Sequence, residues 1–256
     1  MQNDARSGGG GQLVALLIFM AMLWVPVGQS AFLADHWMKI GTYMAPVAVF
    51  MGLKMRQGSA VPPLQDVTFV AVLLAAAYLT HQFEEHWVNL RGEVYPLRHE
   101  LNSIIAAVLG EDKYGIMTRD AIFYINTGAV WASAFVAIWA SPRLIFPSMA
   151  MAGLTAVNGF AHMMVAIRTF DYNSGLLTGV LIFLPLTILY FRTLLKTGLA
   201  TRQMVVISLA WGVFGHVLLF GGLVLANVMG VIPVEVYYAA LIAYGFAPLA
   251  FFRQAA

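Results

Sequence analysis

The chain has 256 residues, of which 61% are hydrophobic and only 10% charged, with a mean hydropathy of +0.79. Soluble domains carry about 25% charged residues, so this is the composition of a polytopic membrane protein with no room for a soluble domain. A formal charge of +2 gives no reason to expect nucleic acid, and the lack of cysteine excludes disulfides, Cys-zinc sites, iron–sulfur clusters and thiol nucleophiles.

Met1–Gly11 is polar and Gly-rich and is expected to be a disordered tail, leaving 12–256 as one transmembrane domain. The run Leu13–Ala34 is too long for a signal-peptide core and lacks an Ala-x-Ala site before Asp35, so it reads as a retained span. Spans of about 20 residues are predicted at Gln12–Ala34, Ile40–Leu53, Asp66–Leu90, Asp120–Ala140, Leu144–Ile167, Ser174–Leu195, Gln203–Met229 and Val234–Phe252. The second is short, which makes seven spans the alternative to eight. Pro185 is expected to kink the sixth. In the long connection between spans three and four, Arg98–Leu109 places Leu101, Ile104, Ile105, Val108 and Leu109 on one face. That pattern predicts an amphipathic helix on the membrane surface. The predicted fold class is therefore all-α, a polytopic transmembrane helical bundle with one surface helix.

Arg6, Lys54, Arg56, Arg143, Arg192, Lys196, Arg202 and Arg253 fall on one side, against Lys39, Arg91, Arg98, Lys113, Arg119 and Arg168 on the other. That bias places both termini in the cytoplasm of a bacterial-type inner or plasma membrane.

The stretch His81-Gln82-Phe83-Glu84-Glu85-His86 puts four ionisable side chains at the end of the third span. A charge at the centre of a bilayer costs about 2.5–3.5 kcal/mol or more, and such residues are usually functional. Glu84 and Glu85 flank the helical stripe headed by His81, whereas His86 should point elsewhere. With both termini inside, spans three, five and seven run the same way. His81, His162 and His216 then lie fifteen, eighteen and thirteen residues into their spans, within roughly 8 Å of one depth. Asn126, in the returning fourth span, falls in the same outer layer. Asn158 and His162 share one face of the fifth span, four residues apart.

The His81-Gln82-Phe83-Glu84-Glu85 pentapeptide, followed by Asn126, the Asn158–His162 pair and the Arg168…Tyr172…Gly175 stretch, resembles the HXXEE family of integral membrane proteins. The resemblance covers roughly 66–230. Where family members carry Pro-Gly after the Tyr, this chain has Asn173-Ser174-Gly175. The family is defined by its motif and implies no settled reaction.

A lone intramembrane histidine is most often a helix–helix hydrogen-bonding residue, and His216 taken alone reads that way. His36, beside Asp35 and Trp37 at a span end, reads as interfacial, and His99 as solvated. Glu84 and Glu85 together require protons or a cation. The expected ligands are His81, His162, His216 and Glu85, with Glu84 as fourth ligand or general base. Asn126 and Asn158 would orient imidazoles or a polar substrate group. That set suits one divalent metal, zinc first, in a hydrolase acting on a lipophilic small molecule from the bilayer. An iron-dependent oxidoreductase is the alternative. It would use both glutamates and recruit His86 or His36 for two irons. A cation or proton transporter would need polar residues continuing inward. Val67–Leu79 and Val205–Trp211 are nearly wholly apolar. A polar layer that only fixes helix packing predicts no bound metal.

Overall fold

The computed structural model describes residues 31–250, so the expected tail and most of the expected first span lie outside the described residues. The main helices are α1 (Ala31–Met55), α2 (Val67–His86), α3 (Pro96–Leu109), α4 (Arg119–Ala140), α5 (Phe146–Thr169), α6 (Leu176–Thr197), α7 (Arg202–Val228) and α8 (Val234–Leu249). No strand occurs among the described residues. Among the described residues, five helices (α2, α4, α5, α6 and α7) are long and apolar enough to cross a membrane. The described part of the chain is thus all-helical with several candidate spans.

Helix starts follow local chemistry. Asp66 accepts the Phe69 N–H at 3.0 Å, Thr118 that of Ala121 at 3.0 Å and Thr201 that of Met204 at 3.2 Å, each satisfying a first-turn donor. α2 ends at His86, short of the expected Leu90. Its chain turns because Asn89 Oδ1 accepts the N–H groups of Arg91 and Glu93 at 2.9 and 3.0 Å.

Two expectations are corrected. The break between Ala34 and Ile40 does not exist, because 31–55 is one continuous helix. Asp35 stays in that helix by pairing with Arg119 at 3.2 Å, and Trp37 is buried against His86, Phe123 and Trp131. His36 lies in the second turn of that helix as described, with Nδ1 buried and unpartnered among the described residues. At Pro185, which lacks an N–H, the preceding turn widens to π-helix over Gly179–Phe183.

The spans differ in how far they are enclosed. Within the bundle 83% of the most apolar window of α4 and 67% of that of α2 are buried, against 11% for α7. α2, which carries His81 and Glu85, and α4 are therefore central, while α7 presents most of its surface outward. α5 and α7 pack directly against each other. Their backbones touch: a methyl on Gly153 would collide with Ser208 O, and one on Gly212 with Gly153 O. The surface helix α3 forms as expected and is clipped down by Asn102, which accepts the Met117 N–H at 2.9 Å and donates to Met117 O at 3.2 Å.

Candidate functional site

His81 and Glu85, one helical turn apart on α2, meet at 3.1 Å between Nε2 and Oε1. His162 of α5 brings its Nε2 to 3.0 Å from the same oxygen. The atoms that these three residues offer to an ion all lie within 4.8 Å of one another. Two donors about 2.05 Å from a tetrahedral zinc are about 3.3 Å apart, close to these separations.

The outer ring nitrogens decide what the inner ones can do. Asn173 donates its Nδ2–H to His162 O at 3.0 Å, so its Oδ1 is the acceptor facing His162 Nδ1 at 2.8 Å. His162 therefore carries a proton on Nδ1. Thr178 Oγ1 has one proton, which it gives to Glu84 Oε2 at 2.6 Å, so at 2.7 Å it accepts the Nδ1–H of His81. Both Nε2 atoms are thereby left as acceptors aimed at a carboxylate oxygen. One extra proton could bridge His162 and Glu85. It would still leave His81 Nε2, which is fully buried and makes no hydrogen bond. A cation at the convergence point would answer all three acceptors.

Gly175 closes the outer side. Its φ is +93°, and a Cβ there would lie 2.7 Å from Cε1 of both His81 and His162. Only a glycine lets the loop lie against the two rings in that backbone conformation.

Glu84 does not join the group. Its carboxylate accepts from Tyr172 Oη at 2.8 Å, Leu177 N at 3.0 Å, and Thr178 N and Oγ1 at 2.8 and 2.6 Å. It caps the start of α6 from a neighbouring helix, leaving little of the carboxylate for a ligand or base role. Burial, and then the bond to Glu84, raise the pKa of Tyr172, which keeps its hydroxyl protonated as the donor. Arg91 pairs with Asp171 and lies 5.4 Å over the Tyr172 ring, holding this loop at the surface.

His86 also departs from expectation. At the last residue of α2 its Nε2 lies 3.4 Å from Glu85 Oε2 and 3.1 Å from Asn126 Nδ2. The second carboxylate oxygen reaches across the 100° between neighbouring residues. Asn126 is the second residue of a π-helical stretch, Ile125–Trp131, and continues a polar chain in which Trp131 donates to Gln82 Oε1 and Gln82 to Asn126 Oδ1, both at 2.8 Å. Asn126 thus orients His86 and not His81 or His162.

A cavity of about 440 Å³ adjoins Glu85, His86 and His162, with mostly apolar walls including Leu101 and Ile104 of α3. His216 and Asn158 line it but stand outside the three-residue group. His216 Nδ1 donates to Gly212 O at 2.8 Å. Asn158 makes no bond to His162; Asn173 does that work. The sequence reading quoted Tyr172, Asn173 and Gly175 only for the family resemblance and gave them no role at the site, and it missed Thr178. The signal was present: two buried carboxylates need donors, and the polar stretch 172–178 has hydroxyls, an amide and a helix start. His99 is on the surface, 3.3 Å from Tyr114 Oη.

Residues 72–190 match the profile of a family described as "Protein of unknown function with HXXEE motif". The matched segment contains His81, Glu84, Glu85, His162, Asn173 and Thr178 but not His216. No curated protein and no solved structure matches the chain.

Proposed function

We propose, for a chain that belongs over residues 72–190 to the HXXEE-motif family, that it is a membrane metalloenzyme acting on a lipophilic small molecule. One divalent ion, zinc in preference to iron, is held by His81, Glu85 and His162. The observation that carries this is the convergence of two unprotonated Nε2 atoms on one carboxylate oxygen, with both Nδ1–H groups already engaged. Metal-bound imidazoles are held in this way.

Two imidazoles and a carboxylate with a further position free are the donor set of a hydrolytic zinc site, which supplies Lewis acidity. The chain's own part is to hold the donors, exclude water with apolar walls and move a proton. His86, beside Glu85 Oε2 and oriented by Asn126, takes the proton-carrying role expected of Glu84. A two-iron oxidoreductase would need Glu84 as a second carboxylate ligand, and its four hydrogen bonds weigh against that. A transporter would need a polar route inward, and the Gln82–Asn126 chain ends at Trp131 Nε1.

The finer topology belongs to the same reading. In it α1, α2 and α4–α8 are spans, with α3 on the surface, and the expected first span, which would make eight, falls largely outside the described residues. Both termini are cytoplasmic, and the site lies in the outer half of a bacterial-type inner or plasma membrane. X-ray absorption on protein purified without chelators tests the assignment. A zinc edge with nitrogen and oxygen scatterers at about 2.0–2.1 Å is expected. A two-iron signal would transfer the reading to the oxidoreductase.

A further inference from the structure

Two polar side chains in the cavity have hydrogen-bonding capacity that nothing in the site uses. Asn158 Oδ1 is buried without a partner among the described residues. His216 donates through Nδ1 to Gly212 O, which leaves Nε2 as an acceptor. Of the other polar groups on the cavity wall, Glu100 and Tyr244 are engaged elsewhere. Glu100 accepts from Ser174 N and Oγ at 3.1 and 2.5 Å, and Tyr244 Oη donates to Trp211 O at 3.0 Å.

The backbone brings the pair into register. Helices α5 and α7 touch at Gly153, Ser208 and Gly212. Asn158 follows Gly153 by five residues and His216 follows Gly212 by four, so both reach the cavity at one height. Asn158 is also one turn before His162 on the same face of α5, about 5–6 Å between Cβ atoms. Leu154 and Leu219 make the surrounding wall apolar. An imidazole acceptor and an amide that can both accept and donate, set in a largely apolar wall, suit a neutral hydroxyl, which gives its one proton to one of the two side chains and can accept from the Asn158 Nδ2–H.

We propose that Asn158 and His216 form a recognition subsite for a hydroxyl group on the lipophilic molecule, about one helical turn from the part presented to His81, Glu85 and His162. The position of the reacting group rests on the metalloenzyme reading; the hydroxyl subsite rests on Asn158 and His216 alone.

The test is equilibrium binding of radiolabelled 1-dodecanol and of methyl dodecyl ether to the full chain in detergent micelles, each corrected for binding to micelles without protein. Both probes have the same alkyl chain and only the alcohol has a donor. In the wild type the alcohol should bind about tenfold more tightly, as expected when a site built for a hydroxyl meets an analogue without one. Asn158→Leu and His216→Phe should each bring the ratio to within about twofold. His216→Gln, whose amide keeps an acceptor, should preserve it. If Asn158→Leu does not fold, the two His216 variants decide. No preference for the alcohol in the wild type, or an unchanged ratio in His216→Phe, overturns the subsite. Metal content of the same preparations separates the readings: a metal-free wild type that still prefers the alcohol refutes the metalloenzyme and leaves the subsite standing.

Discussion

Glu84 and Glu85 are adjacent in sequence and serve different helices: Glu84 caps the start of α6, while Glu85 meets the imidazole that α5 brings. A turn of 100° per residue is enough to divide them. We predict that Glu85→Gln abolishes metal binding without unfolding the protein. Glu84→Gln should keep near-stoichiometric metal with affinity reduced about 10- to 100-fold and stability reduced by about 1–3 kcal/mol. Metal titration and thermal unfolding of both variants check this; equal loss of metal in the two would contradict the division of roles.

Thr178 connects the two carboxylates, accepting from His81 Nδ1 while donating to Glu84. Thr178→Val removes the hydroxyl and should weaken metal affinity about 10- to 100-fold, whereas Thr178→Ser should stay near wild type. Competition against a chelator of known affinity measures both. A valine variant with wild-type affinity would remove Thr178 from the positioning chain.

The fold was legible where hydropathy alone decides. The helical class, a helix over Arg98–Leu109 and most helix limits followed from apolar runs and from caps such as Asp66. The continuity of 31–55 was not legible, because Asp35 and His36 look like a loop until Arg119 and the aromatic cluster around Trp37 are in place. In the site, helical spacing put His81, His162 and His216 in one layer with Glu84 and Glu85, but it could not tell the two glutamates apart or set His216 aside. The role of Asn173 was not legible, since it depends on how a loop folds back over α5. Asn158 has the right spacing to His162, but spacing gives a shared face and not a hydrogen bond.

Gly175 tolerates no side chain. Gly175→Ala combines a strained positive φ, worth about 1–3 kcal/mol, with contacts to both imidazoles. We predict a lower unfolding temperature together with lost metal, whereas alanine at Gly58, which also has positive φ but open space around it, should leave metal binding intact. Parallel calorimetry and metal analysis of the two variants separate backbone strain from collision with the site.

Tyr172 gives a pH signature. Its folded pKa is raised above the ordinary value of 10.0, first by burial and then by its bond to Glu84. The stability it contributes is therefore fully present below about pH 10 and is lost as pH rises through the folded pKa. The unfolding temperature of the wild type should fall more between pH 9 and roughly 12 than that of Tyr172→Phe. Identical slopes for the two proteins would show that the hydroxyl does not hold Glu84.

The most direct measurement is metal content by plasma mass spectrometry on wild type and His162→Ala, purified in detergent without chelators and shown to be folded. About one divalent metal per chain in the wild type, absent from His162→Ala, is the predicted result. A metal-free wild type, or a variant that keeps its full complement, would contradict the site at His81, Glu85 and His162.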